Sequence, residues 1–418
     1  MHRTRMRAWR SVVALATAAL LVVACGGADD DDTGSPGTAG ESESTTSGPA
    51  ASGEPIRIGF IGPFSGNAAF ATAAVKQTLD VWVDEVNADG GILGRPVETV
   101  ERDDQASPEL TLQVARELVE DGVGIIIGPV TNATALQPLQ QELDFINFTI
   151  LSRVELADGT QFPNTFNTYP ANRLTINFLL DYLPAEGLTD WALLADTSPN
   201  QQQYFQAFTA DAEGAGADIV YSNSFDSQSI DLSPVVQEVA GSGADVILFF
   251  AVGATVGRFL QAIATAGVDT PIYSSAAISA SDLSVAPPEV LAEQVYEVIT
   301  QTAVLEDGEP AEGLEPLTLA LYDAVGRENV KGTGLVIQFE AFEMMRYAIE
   351  EAGAPDPAAM RQVMNGVTNQ SFLTPRLEWT FSTTDHGGYT DDPRAGLGLA
   401  RPVPSSEWPG YRDPAVAD

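Results

Sequence analysis

The stretch from residue 56 to residue 132 constrains the fold most, because strand-like and helix-like patterns alternate along it. An apolar run over 56–61 breaks at a turn rich in Gly and Pro, and apolar residues then recur at helical spacing from Val75 to Val86. The predicted elements that follow are a strand over 96–101, a helix over 108–120 and a strand over 123–128. Strands separated by helices in this way form a parallel sheet with right-handed crossovers.

Two loops of this stretch are the first candidates for a binding site. In open parallel sheets, ligands bind beyond the carboxyl ends of the strands. The loops at those ends are residues 62–70, which include Ser65 and Phe70, and residues 129–133. We therefore expect a ligand to lie above the first and third strands.

The same rhythm returns in the second half of the chain without any sequence repeat. The predicted strands are 148–151, 191–195, 218–221, 245–250, 271–274 and 377–381, and the predicted helices are 132–143, 172–182, 200–213, 231–240, 255–266, 334–351 and 357–364. Extended connectors are predicted at 165–170 and 300–304, and a Gly- and Pro-rich tail runs to Asp418. A chain of 418 residues with 44% hydrophobic content can bury more than one core, so we expect an α/β fold with two doubly wound parallel-sheet lobes.

The first 25 residues have the pattern of an export signal. Arginines from Arg3 to Arg10 precede an uncharged apolar run over 12–24, which is too short to span a membrane comfortably. The run ends at Cys25, the one cysteine of the chain, in a context that resembles the lipobox of bacterial lipoproteins. That resemblance implies cleavage before Cys25, acylation of Cys25 and a lipid anchor in the membrane. The alternative is a chance cysteine behind an ordinary signal peptide.

An acidic, flexible linker is predicted over residues 25–54. It consists mainly of Gly, Ser, Thr, Ala, Asp and Pro and offers nothing that could form a core. The chain as a whole carries a formal net charge of −38, so it repels nucleic acid and presents no basic patch. Simple solubility and adaptation to a salty environment both account for this charge.

No constellation of catalytic residues is found in the sequence. His386 is the one histidine beyond the export signal and lies in a turn-like context, so a Ser-His-Asp site is not expected. Phosphate-binding loops and Cys/His metal clusters are absent as well, and no cofactor is predicted. Asp103 and Asp104 could be taken for a metal pair, but their position at a strand end favours structural hydrogen bonds.

Four blocks of the sequence resemble the leucine/isoleucine/valine-type solute-binding proteins of ABC importers. These blocks are residues 56–66, 85–95, 103–108 and 126–129, and the first three occur in the order and at the spacing of that family. The resemblance implies a type I periplasmic-binding fold, in which two lobes joined by a three-strand hinge close on a ligand in the cleft between them. The predicted parts are the signal peptide (1–24), the linker (25–54), the first lobe (55–171 and 302–385) and the second lobe (172–301 and 386–418).

In the first lobe, the resemblance implies that the ligand carboxylate binds at a helix N-terminus after the third strand. Those positions hold Thr131, Asn132 and Ala133, and Phe70 aligns with a family tyrosine. The loop after the fourth strand departs from the small residues of the family and holds Ser152, Arg153 and Glu155. Arg153 suits a carboxylate through a bidentate contact, but a surface ion pair between Arg153 and Glu155 explains these residues equally well.

In the second lobe, the resemblance aligns Tyr204 with a family tyrosine and places Phe250 before a loop that often holds an aromatic contact. Amino-acid binders often have a glutamate near Ser275 to pair with the ligand ammonium, and here that position is Ala276. A buried ammonium without a partner is costly. Either Glu155 replaces the missing acid, or the ligand is an aromatic or aliphatic carboxylate or an amide.

The sequence therefore predicts a monomeric, extracytoplasmic receptor that captures a small solute and delivers it to an ABC permease and its ATPase. A ligand sensor of the same fold that signals through a partner protein is the alternative, and a lipid-anchored hydrolase is a distant third. The lipobox favours transport, because a sensor usually has a spanning helix or a cytoplasmic module.

Overall fold

The computed structural model describes most of the chain beyond the predicted linker. The described residues are 51–66, 69–150, 154–168, 172–278, 281, 283–300, 315–326, 338–373, 378–388, 397–404 and 412–414. The predicted signal peptide and Cys25 lie outside them, as do residues 169–171 and 301–314, where two of the three predicted hinge connections fall. Among the described residues, no helix combines the length and the apolar character that crossing a membrane requires.

The folded body begins slightly before residue 55. The backbone nitrogen of Ser52 donates to the carbonyl oxygen of Gly94 at 2.9 Å, and Arg95 Nε donates to the carbonyl oxygen of Glu54 at 2.8 Å. The last residues assigned to the linker are therefore fastened to the first lobe, and the predicted boundary after residue 54 is a few residues late.

The first sheet has five parallel strands in the order β2-β1-β3-β4-β5. They are β1 (Ile56–Gly62), β2 (Val97–Asp103), β3 (Ile125–Ile127), β4 (Ile146–Thr149) and β5 (Thr165–Asn167). Nearly every residue of β1, β3, β4 and β5 is buried, as expected for a parallel sheet covered on both faces.

Helices cover both faces of this sheet. The helices associated with it are α1 (Ala69–Ala88), α2 (Pro108–Glu120), α8 (Glu315–Val325), α9 (Gln338–Ala352) and α10 (Pro357–Met364). On one face, α8 and α9 pack against α1, and α10 packs against α9 and β4. On the other face, α2 and a short 3-10 helix (Ala133–Leu139) enclose an apolar cluster with Ile61, Ile126 and Phe145.

The second sheet has seven strands in the order β12-β11-β10-β9-β8-β6-β7. They are β6 (Asp190–Asp196), β7 (Asp218–Phe225), β8 (Val246–Phe250), β9 (Ile272–Ser275), β10 (Val295–Thr300), β11 (Leu397–Pro404) and β12 (Arg412–Pro414). The strands from β6 to β10 are parallel, and β11 and β12 add to the edge in antiparallel fashion. The intervening helices are α3 (Asn172–Ala185), α4 (Pro199–Ala215), α5 (Ser233–Ser242), α6 (Ala254–Ala266) and α7 (Pro288–Glu293). The two-lobed α/β fold is thus confirmed.

Three predicted elements were wrong. The helix predicted over 132–143 is only the seven-residue 3-10 helix, which contains Pro138. The strand predicted over 377–381 is reduced, in its described part, to one isolated bridge between Trp379 and Gln370. There the buried indole of Trp379 donates to Glu340 Oε1 at 3.0 Å, so a side chain rather than a strand ladder holds the segment. The tail, which was predicted without strands, instead contributes the strands β11 and β12 to the second sheet.

His386 lies with the first sheet, although the second lobe was predicted to resume at this residue. Its ring stacks on Phe166 of β5 with the ring centroids 4.1 Å apart, and Nδ1 lies 2.8 Å from the carbonyl oxygen of Thr165. Burial lowers the pKa of His386, against the opposing effect of the carbonyl groups of Thr165 and Phe162. The chain therefore leaves the first lobe after His386, and the histidine has a structural role.

Candidate functional site

The candidate site is built from the carboxyl ends of the parallel strands in each sheet, because ligands of such sheets bind there. In the first sheet, the relevant loops follow β1 and β3. In the second sheet, they follow β6, β8 and β9.

At the first sheet, the end of β1 is closed over by its neighbours. Gly62 has no Cβ, and a Cβ placed there would lie 2.7 Å from Thr72 Oγ1 and 2.8 Å from Val130 Cγ2. Gly62 thus allows the first turns of α1 and the loop after β3 to approach the same strand end. Thr72 and Val130 are both buried.

Three buried polar atoms lie around the carboxyl ends of β1 and β3, a region called the first edge below, and have no hydrogen-bond partner. They are Thr72 Oγ1, Thr131 Oγ1 and Asn132 Nδ2, and no group of the described residues bonds to them. Leaving such a group unsatisfied costs about 1–3 kcal/mol. Each of these groups is therefore costly in the free protein, and a bound polar group that accepted its hydrogen bond would remove that cost.

Hydrogen bonds from β4 and to β1 hold the loop that carries Thr131 and Asn132. The Gly128–Pro129 peptide bond is cis, and Asn147 Nδ2 donates to the carbonyl oxygen of Gly128 at 2.6 Å. The backbone nitrogen of Val130 donates to the carbonyl oxygen of Ile61 at 3.1 Å. These bonds hold the backbone of the loop against β1 and β4.

The helix N-terminus predicted at this loop is weaker than expected. Ala133 is buried and begins the 3-10 helix, and Asn132 precedes it without a side-chain capping bond. A short 3-10 helix aligns few peptide dipoles and has poorer hydrogen-bond geometry than an α-helix. The helix dipole at this loop therefore favours an anion less than the sequence analysis expected.

Ser65 is engaged in holding the loop after β1. Its Oγ donates to Asp103 Oδ2 at 2.7 Å, and Phe64 N donates to Asp103 Oδ1 at 2.9 Å. Slight burial alone would raise the pKa of Asp103, but hydrogen bonds from Ser65, Gln105 and Phe64 outweigh it and hold that pKa below its usual value. Ser65 can meet a ligand only as an acceptor while this bond lasts.

Asp104 is buried and also has a structural role. Its carboxylate accepts hydrogen bonds from Thr111 Oγ1 at 2.7 Å and from Ala106 N at 3.0 Å. Both aspartates therefore brace the turn between β2 and α2, as their position in the sequence indicated. Within the described ranges, no group of His, Cys, Asp and Glu side chains could hold a metal ion.

The loop after β4 is only partly described. Ser152 and Arg153 lie outside the described residues, as does the side chain of Phe70, which is in the first turn of α1. Glu155 is exposed in a 3-10 helix over Val154–Ala157. The predicted contacts of Ser152, Arg153, Phe70 and Glu155 with a ligand stay predictions.

At the second sheet, Tyr204 and Phe250 belong to the core. Their rings stack with centroids 4.3 Å apart and planes 2° from parallel, and both side chains are buried. The hydroxyl of Tyr204 donates to Asn172 Oδ1 at 2.9 Å. The stacked rings pack α4 onto β8, and the Tyr204 hydroxyl joins α4 to the start of α3. Their observed role is therefore to position α4 against the second sheet.

Asp196, which the sequence analysis missed, joins two loops at the carboxyl ends of the strands of the second sheet, a region called the second edge below. Its Oδ1 accepts hydrogen bonds from the backbone nitrogen of Ser198, at 2.8 Å, and from Ser198 Oγ. Its Oδ2 accepts a hydrogen bond from Val252 N at 3.0 Å. The loops after β6 and β8 are thus tied together by one fully buried carboxylate.

The end of β9 carries small side chains. Ser275 is buried and its Oγ accepts a weak hydrogen bond from Ala277 N at 3.4 Å. Ala276 is half-buried and packs against Ile299 and Ala400. Ala276 itself has no carboxylate that could meet a ligand ammonium.

Comparisons with known proteins agree with this architecture. A family model described as periplasmic binding protein matches residues 55–391, which is most of the chain, and the protein therefore belongs to the periplasmic binding protein family. The leucine-, isoleucine-, valine-, threonine- and alanine-binding protein of Pseudomonas aeruginosa is 21% identical over 341 residues, which cover 77% of this chain and 84% of that protein.

Solved structures show the same fold. A branched-chain amino acid ABC transporter periplasmic ligand-binding protein of Burkholderia xenovorans has a TM-score of 0.69 at 17% identity, covering 86% of this chain and 94% of the other. A solute-binding protein of an ABC transporter from Rhodopseudomonas palustris, in complex with p-hydroxybenzoic acid, has a TM-score of 0.61 at 18% identity, covering 86% of this chain and 96% of the other. The family is one of extracytoplasmic binding proteins, and the protein is a solute-binding protein rather than an enzyme.

Proposed function

We propose that the protein captures a small carboxylate-bearing solute between the carboxyl edges of its two sheets and delivers it to an ABC permease. The observation that carries the proposal is the set of unpaired buried groups Thr72 Oγ1, Thr131 Oγ1 and Asn132 Nδ2. Each can donate a hydrogen bond, and hydrogen bonds from such donors are strongest to an anion. Closure of the two lobes on the solute would complete the site.

The ligand class follows from both edges together. The first edge offers donors for a carboxylate, whereas Ala276 offers no charge for an ammonium at the second edge. An aromatic or aliphatic acid, or a branched-chain amino acid-like solute bound through its carboxylate, fits these groups. The similar proteins named for branched-chain amino acids and for p-hydroxybenzoic acid support this range.

Attachment to the membrane is part of the proposal. Acylation of Cys25 would hold the protein beside its permease, with residues 26–50 as the tether. Electrophoretic mobility and mass spectrometry of the mature protein test this step. An N-terminus at Cys25 that carries fatty acids supports it, and an unmodified N-terminus at any other residue contradicts it.

The central experiment compares Thr131→Val with the unaltered protein. Thr131→Val keeps the shape of the side chain and removes an unpaired hydroxyl, so the free protein should unfold at the same or a higher temperature. Affinity for a carboxylate ligand should fall about tenfold, because one hydrogen bond to a charged group is lost. Thr134, an exposed threonine in the 3-10 helix that follows Thr131, gives the matched control Thr134→Val.

The ligand is found first by thermal shift over aromatic acids, aliphatic acids, amides and amino acids. A ligand at 100 times its Kd should raise the free energy of unfolding by about 2.7 kcal/mol. No stabilisation by any carboxylate, or equal affinity of Thr131→Val and the unaltered protein, would contradict the proposed function of this edge.

A further inference from the structure

Gln201 is a buried amide with an unsatisfied oxygen. Its side chain is 1% exposed, and its Oε1 has no hydrogen-bond partner in the part of the chain that the structure describes. Other polar side chains of the same helical turn are bonded: Gln202 Nε2 donates to the carbonyl oxygen of Asp196 at 2.7 Å, and Gln203 Oε1 accepts from Asn172 Nδ2 at 3.2 Å. The unsatisfied oxygen is therefore particular to Gln201.

The position of Gln201 places it at the carboxyl edge of the second sheet. It lies in the first turn of α4, one turn before Tyr204 on the buried stripe that continues to Phe208. Tyr204 stacks on Phe250, the last residue of β8. Because α4 begins three residues after β6 ends at Asp196, Gln201 in its first turn lies near the carboxyl ends of the strands of the second sheet.

An unpaired amide at this place is better explained by a ligand than by packing. Leucine would fill a similar volume without an unsatisfied oxygen, and such an oxygen destabilises the free protein. The Oε1 atom accepts a hydrogen bond, so its partner on a ligand must be a donor. Asp196 is already committed within the protein, since its two oxygens accept hydrogen bonds from Ser198 and Val252.

We propose that Gln201 is a specificity-determining residue that recognises the end of the ligand opposite its carboxylate. That end carries an uncharged hydrogen-bond donor, such as a phenolic or alcoholic hydroxyl or a carboxamide. The inference rests on the proposed function, in which the first edge binds the carboxylate. It adds that the preferred solutes are hydroxy acids or amide acids rather than plain aliphatic acids or amino acids.

The test uses ligands that share a carboxylate and differ at the far end. The aromatic set is 4-hydroxybenzoate, 4-carbamoylbenzoate, 4-methylbenzoate and 4-(aminomethyl)benzoate, and the aliphatic set is glutaramate, hexanoate and 5-aminopentanoate. Calorimetry on the unaltered protein should show at least a roughly tenfold preference for the hydroxyl or carboxamide ligand within a set, because a site built to bond a donor rejects analogues without it.

The variant Gln201→Leu should lose that preference. Its affinity for the hydroxyl or carboxamide ligand should fall at least about tenfold, its affinity for the methyl ligand should hold or rise, and its unfolding temperature without ligand should rise. Gln206→Leu, at an exposed position of the same helix, should leave the preference unchanged. Gln201→Met serves in the same comparison if the leucine variant does not fold.

The outcomes separate this inference from the proposed function. If the unaltered protein binds carboxylates without preference for an uncharged donor, or if Gln201→Leu keeps the preference, the role of Gln201 is overturned and the proposed function stands. If no carboxylate of either set binds, the proposed function fails and the inference falls with it.

Discussion

The carboxyl edges of the two sheets differ in how far the hydrogen bonds of their buried polar side chains are satisfied within the protein. At the first edge, Thr72, Thr131 and Asn132 have buried polar atoms that no described group satisfies. At the second edge, Asp196 is fully bonded and Tyr204 donates to Asn172, with Gln201 as an exception. The hydrogen bonds at the second edge are thus mostly made within the protein, whereas the proposed function assigns the unmade bonds of the first edge to a ligand.

The largest effect is expected from breaking the assembled edge at Asp196. Asp196→Ala leaves the backbone N–H groups of Ser198 and Val252 without their acceptor in a buried place. We expect a loss of about 3 kcal/mol in the free energy of unfolding, measured by urea denaturation. Asp269→Ala, at an exposed position, should change it by no more than about 0.5 kcal/mol. Equal effects of the two variants would show that the second edge does not depend on this carboxylate.

A somewhat smaller effect is expected from crowding the first edge at Gly62. In Gly62→Ala, the added methyl group would lie too close to Thr72 and Val130. The expected cost is about 2 kcal/mol in the free energy of unfolding, together with weaker ligand binding as the donors shift. The control is Gly214→Ala in α4, where no atom lies within 4 Å of a new Cβ. That variant should be stabilised, by up to about 1 kcal/mol. If Gly62→Ala does not lower the free energy of unfolding, the side chains of Thr72 and Val130 can move aside to admit a methyl group.

The smallest effect is expected from Asp103, which braces the loop after β1. Its pKa in the folded protein lies below the unfolded value of 3.8, so its contribution to stability is present above that value and is lost as the pH falls through the folded pKa. The difference in free energy of unfolding between the unaltered protein and Asp103→Asn should therefore shrink between about pH 6 and about pH 3. Asp84→Asn, on the exposed side of α1, is the control. A constant difference across this range would show that the Asp103 carboxylate does not stabilise the loop after β1.

Much of the fold could be predicted because its longer elements have clear periodicity. The bounds of α2 and α10 match the prediction at both ends, since Ser107 and Asp356 cap them and each begins with a proline. The six-residue α7 is too short to show a helical period. The strand β11 contains two prolines, which argue against a strand in any sequence-based assignment.

The candidate site was less predictable, because satisfaction of hydrogen bonds is a property of the folded chain. Family resemblance identified Thr131 and Asn132, but no sequence pattern separates Thr72 from an ordinary helical threonine. Tyr204 was interpreted as a ligand contact, although its spacing of four residues from Phe208 is typical of a core stripe. Asp196 follows a buried strand, and its position there was the one signal that could have identified it.

The position of β11 affects how the chain is made. This strand pairs with β10 in antiparallel fashion, yet the two are separated in sequence by the helices that complete the other lobe. At about 5–20 residues per second, the ribosome needs roughly ten seconds to pass from one strand to the other. Wherever the chain folds, the second sheet presents β10 as an open strand edge until β11 pairs with it, and such an edge is the kind of surface at which chains aggregate.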